Sequence, residues 1–474
     1  MKIYNVFTAI NSELECSLLK GIEDLHKGFC GEKDIDILVR RHDQFALQRI
    51  LTDFGFRQVV SGWHKKQHGT EHYLFYEEDT DQFHHIHVHY CIIIGTPLDR
   101  EYELFCPDTW IQQATMHPTF PIKVPPTELI MAFEMLRAII ETNSTFEAVL
   151  VNMIRWIRNP SYLHSSKYKF YRKFQFFHDI INNDRLRHII ADDFSFAQKE
   201  IETMIGLFEE QKVTFISLWF LRRKATKALK PYQRIHPKDT RALRKLCRLE
   251  IRRQLSFRSV SSGGLIISVI GADGSGKSTM CQELTKWLQW GRFTVRTVHL
   301  GEPKKIIRVK LLSYIIGLNK MMGFTKVASY ITGIATLINT KERAKLLAFA
   351  HHEKSKGNIV ITDRYPLKEF WNTVSKTDSP KLDPSNRFHK AIVNIFTKFP
   401  DYPDVLIFLQ APDEVLLQRR KKEVDKYPAL EKLIRQKNSD VKKVAEQLGI
   451  QIFDSSVPKD LLYKQVRSYI WNHI

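Results

Sequence analysis

Leu265-Ile266-Ile267-Ser268-Val269-Ile270 runs directly into Gly271-Ala272-Asp273-Gly274-Ser275-Gly276-Lys277-Ser278-Thr279. The first six residues, short and almost wholly apolar, have the pattern of a strand buried on both faces in a parallel sheet. The next nine satisfy G-x-x-x-x-G-K-[ST], and an amphipathic helical segment, Ser278–Trp290, follows. Glycines at these positions let successive backbone N–H groups curl around an anion without Cβ clashes, and a helix N-terminus adds partial positive charge. Lys277 is placed to reach the β- and γ-phosphates of a nucleotide, and the Ser278 hydroxyl to hold Mg²⁺. Gly271, Gly274, Ser275, Gly276 and Thr279 complete the expected nucleotide-binding set. The alternative is a Gly-rich turn with no ligand; the strand before it and the helix after it favour the phosphate loop.

Apolar runs of the same kind recur downstream at Phe293–Leu300, Asn358–Asp363, Asp404–Leu409 and Ile450–Asp454, separated by segments long enough for crossover helices. Five strands so linked predict a parallel α/β sheet with both faces covered. The front of the chain reads differently. Strands are expected at Ile35–Val39, Tyr73–Tyr76 and His85–Ile94, and a helix at Gln44–Phe54. After Pro125-Pro126, Glu128–Ile140 and Phe146–Ile157 carry apolar residues at helical spacing. The predicted organisation is an α+β domain with a helical extension over 1–215, a basic helical linker over 216–262, and an α/β domain over 263–474. No internal repeat is present.

A chain of 474 residues exceeds one ordinary core, in keeping with that division. Hydrophobic residues at 43% and charged residues at 26% exclude a disordered or low-complexity chain. The formal net charge of +20 points to anionic partners. Residues 221–260 hold 14 Lys and Arg against Asp239 and Glu250, so most of the excess is local. Six cysteines lie scattered without a C-x-x-C pair, which fits reduced thiols and a cytoplasmic location. Met1-Lys2-Ile3-Tyr4-Asn5 has no apolar segment of a secretory signal, and the apolar stretch from Val309 to Asn339 is interrupted by Lys320, Lys326 and several glycines.

The second half carries further chemistry. Ile359-Val360-Ile361-Thr362-Asp363-Arg364 places Asp363 and Arg364 at the C-terminal end of a predicted strand, where ligands of open α/β sheets collect. Asp363 suits Mg²⁺ or its waters, and the planar fork of Arg364 suits a phosphate. Arg419-Arg420-Lys421-Lys422 follows the fourth strand and can neutralise a transferring phosphoryl group; the bland alternative is a solvated helix face.

These residues together resemble the thymidylate-kinase branch of the P-loop nucleoside monophosphate kinases. The resemblance rests on Asp273 inside the loop, Asp363-Arg364-Tyr365, Pro403-Asp404, Pro412-Asp413-Glu414-x-x-Leu417-x-x-Arg420 and Phe453-Asp454-Ser455-Ser456. It implies that Asp273 meets the acceptor's sugar, Arg364 holds the acceptor phosphate, and Arg419 or Arg420 stabilises transfer, with ATP and Mg²⁺ as cofactors. Two departures bear on the acceptor. Gly301-Glu302-Pro303 lacks the Arg that the family carries there, and Lys341–His352 lacks the family's thymine-reading motif. The acceptor region is expected within 305–345. Its apolar middle reads either as a pair of core helices or as a pocket for a greasy or lipid-linked acceptor.

In the front half, Lys27-Gly28-Phe29-Cys30-Gly31-Glu32-Lys33-Asp34-Ile35-Asp36-Ile37-Leu38-Val39 places Asp34 and Asp36 on one strand face. Two carboxylates so placed can hold a pair of Mg²⁺ ions over a triphosphate, with Gly28 letting backbone approach the phosphates. The pattern resembles the nucleotidyltransferase fold of the DNA-polymerase-β type, from about Gly21 to Ile140. That family uses a third carboxylate on a neighbouring strand, where this chain has His84-His85-Ile86-His87-Val88-His89-Tyr90. Alternation puts His85, His87 and His89 on one face. His87 can substitute as ligand or base, or Glu77, Glu78 and Asp79 can supply the carboxylate. A degenerate binding domain and a zinc site built from the histidines are the other readings.

In the basic stretch, Arg241, Arg244, Lys245, Arg248 and Arg252 share a helical face. It can track a nucleic acid or an anionic membrane, though a solvated helix is favoured because few aromatic residues are present to stack bases. The expected function is an ATP- and Mg²⁺-dependent phosphotransferase acting on a phosphorylated small-molecule acceptor. A bifunctional enzyme led by nucleotidyl transfer and a nucleic-acid-binding NTPase are the alternatives. The sequence leaves room for a homodimer.

Overall fold

The apolar run at 265–271 forms a strand with every residue buried, and four more strands line up with it in parallel. In the computed structural model the described residues are 2–61, 69–95, 101–104, 107–141, 181, 183–210, 212, 215–234, 239, 258–301, 314–318, 321–322, 324–370 and 387–474. The expected helix at Phe146–Ile157, Arg241 to Arg252 of the basic stretch, and Glu302-Pro303 lie outside them. The chain divides into two units, Met1–Glu77 with Gln82–Gln254, and Glu78–Asp81 with Leu255–Ile474.

In the first unit the larger sheet holds β1 (Cys16–Lys20), β2 (Ile35–Val39), β3 (Arg57–Ser61), β4 (Thr70–Glu77) and β5 (Gln82–His89), adjacent in the order β1-β2-β5-β4-β3. β2 runs parallel to β5, with Asp36 opposite His87, whereas β4 pairs antiparallel with β5, with His72 opposite His87. The expected strand His85–Ile94 is two strands: Gln82–His89 and the separate Ile92–Ile94. Tyr90 and Cys91 separate them, the Tyr90 backbone N–H still donating to the Gly69 carbonyl. Helix α1 (Lys2–Glu13) buries Ile3, Val6, Phe7 and Ile10 at three- and four-residue spacing. The predicted helix at Gln44–Phe54 is found as α3 (Gln44–Asp53), after the one-turn α2 (Leu25–Phe29). The helical extension comprises α4 (Thr127–Ile140), α5 (Asp184–Asp193), α6 (Gln198–Glu209) and α7 (Phe215–Ala228). Leu221, Ala225 and Leu229 join the same core as α1, so the described start of the basic stretch is packed on this unit.

In the second unit the strands are β6 (Leu265–Gly271), β7 (Val295–Val298), β8 (Ile359–Thr362), β9 (Val405–Gln410) and β10 (Ile452–Asp454). They form a five-stranded, all-parallel sheet in the order β7-β8-β6-β9-β10. The covering helices are α8 (Lys277–Trp290), α9 (Thr325–Ser355), α10 (Arg387–Phe396), α11 (Asp413–Arg419), α12 (Lys421–Lys426), α13 (Ala429–Leu448) and α14 (Lys459–His473). Within 305–345, residues 305–313 lie outside the described residues and 314–318 are helical. Residues 325–345 belong to the single helix α9, on which Ala328 and Thr340 are buried while Val327 and Tyr330 stand at the surface. Among the described residues no helix is long and apolar enough to cross a membrane.

Candidate functional site

Because all five strands of this parallel sheet run the same way, their C-terminal ends open on one edge, and the chemistry-bearing residues gather there. Asp273 follows β6, His299 follows β7, Asp363 and Arg364 follow β8, Arg419 ends the helix after β9, and Ser455 follows β10. They line a cleft of about 550 Å³ with residues 273–279 of the glycine-rich loop. Every expected site residue of this unit except Gly271 lines it, and Gly271 forms the floor of the loop as the last residue of β6.

The loop is shaped by its glycines. Gly274 and Gly276 both hold φ near +91°, a conformation that side chains resist. A Cβ on Gly271 would lie 2.5 Å from the Leu409 carbonyl oxygen and 2.4 Å from Ser275 Oγ. Packing of Ala272 against Ala411, Leu416 and Ile434 anchors the loop to α11 and α13. The Ser275 hydroxyl is buried without a hydrogen-bond partner, whereas Ser278 and Thr279 stand exposed at the rim. A curled backbone, an orphaned hydroxyl and a helix N-terminus together fit a polyphosphate. Lys277, buried, donates from Nζ to the Gly271 and Ala272 carbonyls at 2.9 Å each, so its charge lies within the loop.

Asp273 is the electrostatic centre. Its carboxylate accepts from Lys437 Nζ at 2.8 Å, with Arg364 and Arg420 each 3.6 Å away and Lys277 at 3.8 Å. Burial opposes its charge, but the Lys437 hydrogen bond and the charges of Lys437, Lys277 and Arg364 bring the carboxyl down to about 2. Lys437, on α13 and 164 residues from Asp273, carries no motif that would announce it. Asp363, also buried, accepts the Leu300 backbone N–H at 3.1 Å and pairs with His299 Nδ1. His299, exposed at the cleft, was likewise not expected as a site residue. Arg419 donates to the Gly274 carbonyl at 3.2 Å and the Ser455 carbonyl at 2.7 Å, tying the helix to the loop, while Arg420 pairs with Glu423.

In the first unit Asp34 and Asp36 both face the histidine row of β5. His85 Nδ1 lies 2.7 Å from Asp34, and His87 Nδ1 and His89 Nε2 lie 3.2 and 2.9 Å from Asp36. Burial works against both charges, but the His85 hydrogen bond on Asp34 and the Lys20 charge on Asp36 hold each carboxyl well below the usual range. Burial pushes His89 down to about 4, so its imidazole is neutral at pH 7.

One expectation for this face is overturned. Glu77 does not supply a third carboxylate. It accepts from His84 Nε2 at 3.1 Å, and strand alternation puts it on the face opposite His85 and His87. Gly28 also has a packing constraint, since a Cβ there would lie 2.7 Å from Ile35 Cγ1. The residue that alternation along one strand did not reveal is His72, on β4, whose ring lies 4.4 Å from that of His87.

No family model and no curated protein matches the sequence. Among solved structures, the thymidylate kinase of Ehrlichia chaffeensis aligns at 14% identity and a TM-score of 0.27, covering 44% of this chain and 98% of its own.

Proposed function

We propose that the second unit is an ATP- and Mg²⁺-dependent phosphotransferase, carrying the γ-phosphoryl group of ATP to a phosphorylated small-molecule acceptor, with nucleoside monophosphates the first class to test. One observation carries the reading: a single cleft holds the phosphate loop with Lys277 and also Arg364, Arg419 and Arg420 from two other elements. Loop N–H groups and Lys277 suffice for one polyphosphate. The additional arginines provide for a second phosphorylated group beside it.

In such a transfer an acceptor phosphate oxygen bonds the γ-phosphorus, the bond to the β–γ bridging oxygen breaks, and ADP leaves. The protein's share is positioning and charge stabilisation. Ser278 and Asp363 are the residues that would hold Mg²⁺, which supplies charge neutralisation on the phosphate oxygens when bound. Lys277 neutralises the donor end, and Arg364 grips the acceptor phosphate. Arg419 and Arg420 bring positive charge over the group in flight. Asp273, held by Lys437, keeps Arg364 and Arg420 aimed at the loop and is positioned to accept a hydrogen bond from an acceptor hydroxyl.

The test is product analysis by anion-exchange chromatography after incubation with ATP, Mg²⁺ and a panel of nucleoside monophosphates, dTMP included. Equal amounts of ADP and a nucleoside diphosphate are expected, with at least about a hundredfold loss in Lys277→Ala. ADP release that is indifferent to every acceptor, or turnover unchanged in Lys277→Ala, counts against the reading.

A further inference from the structure

The Asp34 and Asp36 carboxylates suit a pair of Mg²⁺ ions poorly. Mg²⁺ demands oxygen ligands in near-octahedral geometry. Here Lys20 Nζ sits 3.0 Å from Asp36 Oδ1, and imidazoles occupy the remaining near neighbours of both carboxylates. On β5, beside β2, the face that would supply a third carboxylate carries His85, His87 and His89 instead, and His72 adjoins them from β4. The donor set is nitrogen-rich, and nitrogen-rich sites select borderline transition metals over hard cations.

The arrangement is specific. His85 and His87 are alternate residues of β5, and His72 is the cross-strand partner of His87 on β4. Ring centroids lie 4.1 Å apart for His85 and His87, 4.4 Å for His72 and His87, and 5.5 Å for His72 and His85. One nitrogen from each of the three lies within 4.8 Å of the others. Donor nitrogens around a tetrahedral zinc are about 3.3 Å apart at Zn–N distances near 2.05 Å. Small side-chain rotations on a rigid sheet close that gap.

The carboxylates behind the ring set complete the pattern. A carboxylate only accepts, so the 2.7 Å contact from His85 Nδ1 to Asp34 and the 3.2 Å contact from His87 Nδ1 to Asp36 place the proton on Nδ1 in each ring. That leaves Nε2 of each ring to offer a metal, the carboxylate–histidine–metal relay that orients ligands in metal sites, with Asp34 Oδ2 3.5 Å from His87 Nε2 as a further oxygen beside it. A second set, Asp36, His87 and His89, also has its donor atoms within 4.8 Å of one another, but the Lys20 ammonium against Asp36 disfavours a cation there. A route in exists: the side chains of His87 and Asp34 are 20% and 34% exposed, and His72 borders an open cleft of about 270 Å³. We propose that His72, His85 and His87 form a three-histidine site for a Zn²⁺-class dication, with Asp36 hydrogen-bonding His87 from behind and Asp34 hydrogen-bonding His85 from the edge of the site.

The experiment is titration of the full chain with Zn²⁺ by equilibrium dialysis in the absence of nucleotide, with Co²⁺ as a spectroscopic probe and Mg²⁺ as competitor. One tight equivalent of Zn²⁺ is expected, with the visible absorption of low-coordinate cobalt when Co²⁺ replaces it. Affinity should fall at least about 100-fold in His87→Ala and about 10–100-fold in Asp34→Asn, and stay unchanged when the exposed His42 is replaced by Ala. His85→Gln provides the same ligand loss should His87→Ala fail to fold, as judged by circular dichroism. The proposal is overturned if Zn²⁺ binds wild type and the folded ligand variants equally, if no stoichiometric equivalent binds, or if millimolar Mg²⁺ displaces it.

Discussion

Asp273 sits where four cations converge, and its protonation reports on the whole cleft. Its carboxyl falls from the usual 3.8 to about 2 because Lys437, Lys277 and Arg364 outweigh the cost of burial. A carboxylate depressed on folding contributes stability in full above its unfolded value and loses it as pH falls through its folded value. A drop of this size corresponds to about 2 kcal/mol. Asp273→Asn should therefore be less stable than wild type by about 2 kcal/mol near pH 7, with the gap closing between about pH 4 and pH 2. Urea midpoints for both proteins across that window measure it, and carboxylates common to both cancel in the difference. A gap that stays constant down to pH 2 would show that the Asp273 charge contributes nothing to the fold. Lys437 also marks the limit of reading residues in order. Asp273 was legible inside its motif, but its principal partner lies 164 positions away in a helix whose sequence is ordinary. His72 was hidden for a related reason: alternation exposes a face of one strand but not which strand lies beside it.

At the scale of elements, the second unit was legible because parallel strands buried on both faces read as unbroken apolar runs. The five expected strands appear in place, though Phe293–Leu300 shortens to Val295–Val298 and Ile450–Asp454 to Ile452–Asp454. The front unit was read with less precision because its sheet mixes parallel and antiparallel neighbours, and because Tyr90 breaks a run that looks continuous in sequence. The glycine-rich loop joins the two kinds of information: its motif gives the chemistry, Gly274 and Gly276 are required by positive φ, and Gly271 by a neighbouring element. Gly271 is the sharpest case, since a Cβ there meets the Leu409 carbonyl of β9 at 2.5 Å. Backbone cannot yield as a flexible side chain does, so Gly271→Ala should push β6 and β9 apart at their C-terminal ends. The expected cost is about 1–3 kcal/mol in a denaturant titration, accompanied by weaker binding of a fluorescent ATP analogue. Unchanged stability together with unchanged nucleotide affinity would mean that the loop has slack the packing does not suggest.

At the scale of the whole molecule, the two units carry different donor sets: backbone N–H groups and cations in one, imidazoles and carboxylates in the other. The first suits a polyphosphate and the second a borderline metal ion, so each ligand should leave its mark in its own unit. A ligand that binds only the folded state stabilises it by about 2.7 kcal/mol at a hundred times its dissociation constant, and slowed amide exchange localises that effect. With ADP and Mg²⁺, exchange should slow at residues 271–279 and around Arg419 and Arg420. With Zn²⁺ alone, it should slow along β4 and β5 through His72, His85 and His87. Hydrogen–deuterium exchange of the full chain, read by mass spectrometry of peptides, separates these responses. Protection of β2 and β5 by nucleotide would instead place a nucleotide over Asp34 and Asp36, and would return the front unit to the nucleotidyltransferase reading that its histidines argue against. Protection confined to 271–279 without Arg419 and Arg420 would leave the loop as a nucleotide site but remove those arginines from the proposed transfer. The net charge of +20 does not mimic either pattern, because non-specific anion binding through 221–260 weakens steeply between about 50 and 200 mM salt, whereas contacts inside a walled loop are screened far less. Running the exchange at the higher salt therefore isolates the specific sites, and the two ligands should then protect two sets of peptides that do not overlap.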